Sequence, residues 1–153
     1  MVQTGRKVPR LSGVLHDGST LALEDLRGGP VVVYFYPRDA TAGCTREAQD
    51  FRDLHPAFHR LGCTVLGVSR DSAASHARFR ERQSLPFALL ADTDERWCKA
   101  FGVLGEKTLY GRRFIGVIRS TFLIDAEGTL AAEWRGVKVP GHAADVLERV
   151  QAL

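Results

Sequence analysis

The sequence has no apolar run approaching the length of a bilayer-spanning helix, so a membrane-spanning protein is not expected. Residues Met1 to Pro9 lack the apolar core of a secretory signal, so no signal peptide is expected. Cysteine is scarce. There are three, Cys44, Cys63 and Cys98, with no C-x-x-C pair and no spacing typical of a disulfide framework. An odd number of free thiols fits a reducing compartment, and a cytoplasmic location is the expectation. Charge of one sign is also lacking: the net charge is only +3. The short basic group of Lys107, Arg112 and Arg113 reads as a solvated loop, so nucleic acid is not expected as a partner. Gly28-Gly29 and Gly111 belong to no phosphate-binding pattern. With no repeat, linker or low-complexity tract, residues 1–153 read as a single domain, long enough for a real core.

What is present is an alternation of strand-like and helix-like segments. Asp17-Gly18 marks a two-residue hairpin turn between Leu11–Leu15 and Thr20–Leu23. Glu24-Asp25-Leu26 reads as one helical turn before Gly28-Gly29. Val31 to Tyr36 is β-branched and aromatic, as a central strand should be. A helix follows over 42–61, with Phe51, Leu54, Phe58 and Leu61 on a core-facing stripe. Pro56 inside it predicts a kink or break, and Gly62 ends it. Cys63 to Ser69 is a second buried strand, with Asp71 and Ser72 as caps for a helix over 73–84. Pro86 to Leu90 is a third strand, and Glu95 to Phe101 another helix. Residues 103–113 read as a loop, Ile115 to Ile124 and Thr129 to Trp134 as strands, and 140–152 as a last helix that His142 could cap. Its apolar side is Val146, Leu147 and Val150. This order predicts an α/β fold: a central mixed β-sheet flanked by helices on both faces, with an N-terminal β-hairpin.

Cys44 lies where the strand 31–36 hands over, through a short loop, to the first long helix. Free backbone N–H groups and the positive end of the helix dipole gather at such a point. Both favour a thiolate over a thiol. A bland alternative exists for each neighbour. Cys44 could be a small buried hydrophobe, Thr41 an N-cap, Glu47 a first-turn acid and Arg119 a surface strand residue. His55 and His59, four apart, could form a metal pair, but Pro56 disturbs the helix and no third ligand is evident. No metal or cofactor is expected.

The residues Pro37-x-x-x-Thr41-x-x-Cys44 match the pattern P-x-x-x-T-x-x-C, and this stretch resembles the peroxiredoxin signature. Tyr34-Phe35-Tyr36, Gly43-Cys44-Thr45, Glu47-Ala48, Phe51-Arg52-Asp53, Gly67-Val68-Ser69 and Arg119 to Asp125 are similar to the bacterioferritin comigratory protein, or peroxiredoxin Q, branch. The likeness runs from about residue 9 to the end and implies a thioredoxin-like fold. It also implies reduction of hydrogen peroxide and organic hydroperoxides through a sulfenic acid on Cys44. By the same resemblance, Pro37 shapes the pocket, Thr41 places a hydroxyl near sulfur and peroxide, and Arg119 favours the thiolate. The backbone N–H groups of Gly43 and Cys44 contact substrate, while Glu47 holds the arginine.

The branch has members with a second cysteine that captures the sulfenic acid, on the same helix or the next. Those positions are Gln49 and Arg80 here. Cys63 reads as structural, and Cys98 could reach Cys44 only after local unfolding. A one-cysteine mechanism is therefore expected, with thioredoxin, glutaredoxin or a low-molecular-weight thiol as outside reductant. By the same resemblance the protein is expected to be a monomer. The alternatives are a peroxide sensor or redox-relay protein using Cys44 without efficient turnover, and a thioredoxin-fold binding module.

Overall fold

The strand residues alternate between two cores. In β3 (Val31–Phe35) every side chain is buried, which places this strand in the middle of the molecule. Val31, Val33 and Phe35 enter one apolar cluster, while Val32 and Tyr34 enter another. That period of two is the pleat of a strand covered on both faces. The computed structural model describes residues 1–153.

The other strands are β1 (Ser12–Leu15), β2 (Thr20–Ala22), β4 (Thr64–Ser69), β5 (Ala88–Ala91), β6 (Leu104–Leu109), β7 (Arg112–Val117), β8 (Ser120–Ile124) and β9 (Leu130–Arg135). The helices are α1 (Ala42–Arg60), α2 (Ala73–Gln83), α3 (Arg96–Phe101) and α4 (His142–Gln151), with a 3-10 turn at Leu23–Leu26. Seven strands form one sheet in the order β2-β1-β5-β4-β3-β8-β9. The β3–β4 and β4–β5 pairs are parallel, as the intervening α1 and α2 require. The pairs β3–β8 and β8–β9 are antiparallel. Phe51 and Phe58 of α1, Phe79 of α2 and Val146 and Val150 of α4 cover one face. Trp97, Cys98 and Phe101 of α3, with Val2, Val8 and Leu23, cover the other. This is the thioredoxin-like arrangement that the resemblance implied.

Several expectations need correction. Residues 103–113 are not a loop: β6 and β7 pair as an antiparallel ribbon from Leu104↔Val117 to Leu109↔Arg112, separate from the main sheet. The apolar run Ile115 to Ile124 is not one strand. It breaks at Ile118-Arg119, where the chain leaves the ribbon and enters the main sheet as β8. Helix α1 does not break at Pro56. Pro56 is exposed, so the carbonyl it leaves unpaired faces solvent, and buried Phe51 and Phe58 hold the opposite side of the helix. Leu61 is not part of the core stripe; it is largely exposed beside Gly62, whose φ of 67° turns the chain out of the helix. The β1–β2 turn has three residues, since Leu15 N–H donates to Ser19 O, with Gly18 at a φ of 83°. Finally, His142 is the first residue of α4 and Gly141 occupies the cap position. The His142 ring is buried against β8, with Nε2 2.8 Å from Thr121 Oγ1.

Candidate active site

The loop between β3 and α1 delivers Cys44 to a definite place. Thr41 sits at the N-cap of α1 in extended backbone, and Thr45 N–H donating to Thr41 O, at 2.8 Å, closes the first turn. The N–H groups of Ala42, Gly43 and Cys44 therefore precede the helical ladder. Cys44 is the third residue of the helix, with 1% of its surface exposed, and it packs in the core that contains Tyr34, Tyr36 and Ala48.

Arg119 reaches this cysteine from the break between β7 and β8. Its carbonyl accepts from Val137 N–H at 3.0 Å, and the N–H of neighbouring Ile118 donates to Val103 O at 2.7 Å, so the backbone there is fixed. The Arg119 Nη2–H group donates to Cys44 Sγ at 3.4 Å. Nη1–H donates to Glu47 Oε1 at 2.6 Å. A β-carbon on Gly43 would lie 3.2 Å from Arg119 Nη2, so glycine there gives the guanidinium room at the helix start. Cys44, Glu47, Gly43 and Arg119 thus meet at one point, although 75 positions separate Cys44 from Arg119.

Glu47 is the most perturbed carboxyl of the group. It is 1% exposed, and Oε2 has no hydrogen-bond partner in the protein. Burial pushes it up to about 7, against the pull of Arg119. Burial wins because the guanidinium satisfies only one of the two oxygens. Tyr34, whose hydroxyl is also buried without a partner, is raised by burial and then by the neighbouring charges of Glu47 and Cys44. Lys107 on β6 is lowered by burial and by Arg119. It is half-buried rather than part of a solvated loop, which is a further correction.

Pro37 and Thr41 both lie in the segment between β3 and Cys44. Pro37 is half-buried at the end of β3 and offers no N–H. Thr41 is exposed, and its hydroxyl donates to Arg38 O at 3.1 Å instead of capping the helix. A hydroxyl oxygen that donates its hydrogen keeps acceptor capacity.

The other cysteines lie elsewhere. Cys98 belongs to the core on the opposite face of the sheet, with Trp97 and Phe101. Its backbone N–H donates to Asp92 Oδ2 at 2.8 Å, and burial with the adjacent Asp92 raises its thiol far above the usual range. Cys63 shares the core of Cys44 but follows the far end of α1, roughly 25 Å along the helix axis at 1.5 Å per residue. Burial pushes its thiol up to about 12. Both read as inert packing groups.

Sequence reasoning missed a buried polar network beside the loop. Asp39, Asp71 and His76 bring one ligand atom each within 4.8 Å of one another. These atoms are already engaged in hydrogen bonds, so they do not form an open metal site. A histidine inside α2 and aspartates just ahead of two helices gave no periodic signal. The one available hint was a run of polar residues, Ser69 to Ser72, at the end of a buried strand. His55 and His59 stack at 6.1 Å between ring centroids, with no third donor joining them.

The chain is similar to known proteins over nearly its whole length. Residues 4–133 match the AhpC/TSA family. The chain is 45% identical over 150 residues to peroxiredoxin Bcp of Bacillus subtilis, covering 98% of this chain and 96% of that protein. It is 38% identical over 146 residues to peroxiredoxin Bcp of Escherichia coli, covering 95% and 94%. Among solved structures, Xanthomonas campestris bacterioferritin comigratory protein, described for its alkyl peroxide reduction activity, superposes with a TM-score of 0.89 at 45% identity, covering 93% and 90% of the two chains. A cysteine-to-serine variant of Xylella fastidiosa PrxQ gives a TM-score of 0.94 at 40% identity, covering 99% and 97%.

Proposed function

The chain belongs to the AhpC/TSA family as a thiol-dependent peroxidase of its Bcp/PrxQ branch, and from that premise we propose that Cys44 is the attacking thiolate. The observation that carries this assignment is the bond from Arg119 Nη2–H to Cys44 Sγ at a helix start. A guanidinium fixed there stabilises negative charge on sulfur, and it has a second donor group held by Glu47.

The chemistry follows from the geometry. The thiolate attacks one peroxide oxygen, an S–O bond forms and the O–O bond breaks. The departing oxygen takes a proton and leaves as water from hydrogen peroxide, or as alcohol from an organic hydroperoxide. Cys44 becomes a sulfenic acid. Charge builds on the departing oxygen, and Arg119 with the free N–H groups of Gly43 and Cys44 supplies donors for it. Thr41 offers an acceptor for the peroxide hydrogen, and Pro37 excludes competing N–H donors from the mouth of the pocket. Glu47 acts through Arg119, by keeping the guanidinium aimed at sulfur.

Substrate peroxide and reductant thiol are common to the family; the finer assignment is a one-cysteine cycle. An external thiol attacks the sulfenic sulfur and releases water as a mixed disulfide forms. A second thiol then restores Cys44 and leaves as the oxidised disulfide. Gln49 and Arg80 stand where a resolving cysteine would be, and the positions of Cys63 and Cys98 support the same reading. Thioredoxin, glutaredoxin and a low-molecular-weight thiol are the reductants to compare. Three free thiols favour a reducing, cytoplasmic setting. Steady-state peroxide consumption with each reductant tests the proposal. Turnover is expected with at least one of them and is lost in Cys44→Ser; a Cys44→Ser variant with normal turnover rules the assignment out.

A further inference from the structure

The loop leading to Cys44 is exposed at Arg38, Ala40 and Thr41, yet Asp39 among them is buried. A carboxylate is drawn inward only when enough donors meet it. Tyr36 OH donates to Asp39 Oδ1 at 2.6 Å, and Ser75 Oγ donates to Oδ2 at 2.8 Å. His76 Nδ1 lies 2.7 Å from Oδ2. The Asp39 N–H donates to Asp71 Oδ2 at 2.9 Å, an oxygen that also accepts from Ser69 Oγ. His76 is fully buried on α2, and its Nε2 points at Leu90 O on β5 at 3.0 Å. The His76 ring thus bridges the loop carboxylate on one side and β5 on the other.

Directly after this anchor, Ala40 takes a φ of 63°, a conformation that a residue with a β-carbon rarely holds without outside support. Thr41 then occupies the N-cap position of α1 and Cys44 follows within its first turn. The chain from Asp39 to Cys44 is too short to absorb movement at one end without passing it to the other. On the reading of Cys44 given above, the two halves of the cycle make opposite demands on this segment. Peroxide is small and reacts with sulfur that is buried beside Arg119. An external thiol carried by a protein needs that sulfur exposed.

We propose that Asp39 and His76 are positioning residues that clamp the 37–43 loop to α2, favouring the closed arrangement for the peroxide step and opposing exposure of Cys44 to bulky thiols. The proposal rests on the assignment of Cys44 and adds a determinant outside the residues that touch sulfur. Breaking the clamp shifts the balance between closed and open loop, so one rate constant falls while the other rises.

The test uses the reduced full-length protein as wild type, Asp39→Asn and His76→Gln, with Phe101→Leu in the opposite core as a control for lost stability. Two rate constants are measured at Cys44 by stopped-flow and peptide mapping: oxidation by hydrogen peroxide, and alkylation by a fluorescein maleimide. In both clamp variants peroxide oxidation should slow, and maleimide labelling accelerate, each by about tenfold, which takes a roughly hundredfold shift of the closed-to-open ratio, from about 10:1 to about 1:10, equivalent to about 2.7 kcal/mol. Phe101→Leu should lower the melting temperature and leave both constants unchanged. Clamp variants that behave like Phe101→Leu overturn the proposal. So does a parallel fall in both constants, which reports a less reactive sulfur rather than an opened loop. If His76→Gln does not fold, Ser75→Ala removes one donor to Asp39 without touching the charges and should give the same opposed changes at smaller size. A wild type whose Cys44 ignores peroxide refutes the underlying assignment instead, so the two failures are distinct.

Discussion

Replacing Glu47 by glutamine should make the protein more stable at pH 8 and slower with peroxide. The carboxyl is buried, one oxygen is bound by Arg119 at 2.6 Å, and the other has no partner. Its folded-state value rises from 4.5 to about 7. Between those values the native state keeps a proton that the unfolded state gives up, so stability falls as pH rises through that window. At about 1.4 kcal/mol per pH unit, the ionised carboxylate costs about 3 kcal/mol above pH 7 relative to its protonated form. Glutamine mimics the protonated form and still accepts from Arg119. Urea unfolding should show Glu47→Gln more stable by about 3 kcal/mol at pH 8, with the difference nearly gone at pH 4. The same change removes the anion that aims Arg119, and peroxide oxidation of Cys44 should slow by about tenfold, for the loss of one charge-assisted bond. Such a stability gain with a functional loss is expected where an active site holds an unfavourable buried charge. A Glu47→Gln variant that is no more stable at pH 8, or whose advantage persists unchanged at pH 4, refutes the reasoning.

Arg119→Ala should lower the peroxide rate constant by roughly a hundredfold or more, the loss seen when a donor to developing charge is removed, and stopped-flow oxidation measures it. Cys98→Ser should leave steady-state turnover unchanged, because Cys98 packs on the opposite face of the sheet; a loss of turnover at equal stability contradicts the one-cysteine cycle. His142 is lowered by burial from 6.5 to about 4. The native state therefore binds fewer protons than the unfolded chain between those values, and stability falls as pH drops through them, by about 2 kcal/mol after allowing for partial solvation of the ring. This opposes the effect of Glu47 over much of the same range. Denaturation in Glu47→Gln should consequently show a clear acid loss of stability, and His142→Gln an acid gain.

The central scaffold was legible because its signals are local and repeated. Val31 to Phe35 announced a strand buried on both sides, and Phe51 and Phe58 marked the core side of α1. The peroxiredoxin-like pattern around Cys44 located the loop, and the comparisons bear out the family and the fold. The β6–β7 ribbon was not legible. Its outward residues, from Glu106 to Arg113, are polar or exposed, and Gly105 and Gly111 read as loop punctuation. The break at Ile118-Arg119 was hidden because apolar residues stand on both sides of it, although they enter different sheets. Pro56 does not break α1 for a physical reason: its missing hydrogen bond falls on the exposed side of the helix. The Asp39–His76 network was invisible because its members come from the 37–43 loop, β4, α2 and β5, and only the assembled fold brings them together.

The most direct test of the account is thiol mapping after one equivalent of hydrogen peroxide, with dimedone present to trap sulfenic acid. The account predicts one dimedone adduct on Cys44, unmodified Cys63 and Cys98, and no disulfide under non-reducing conditions. An adduct on Cys63 or Cys98 with Cys44 untouched, or a stoichiometric Cys44–Cys98 crosslink, contradicts it.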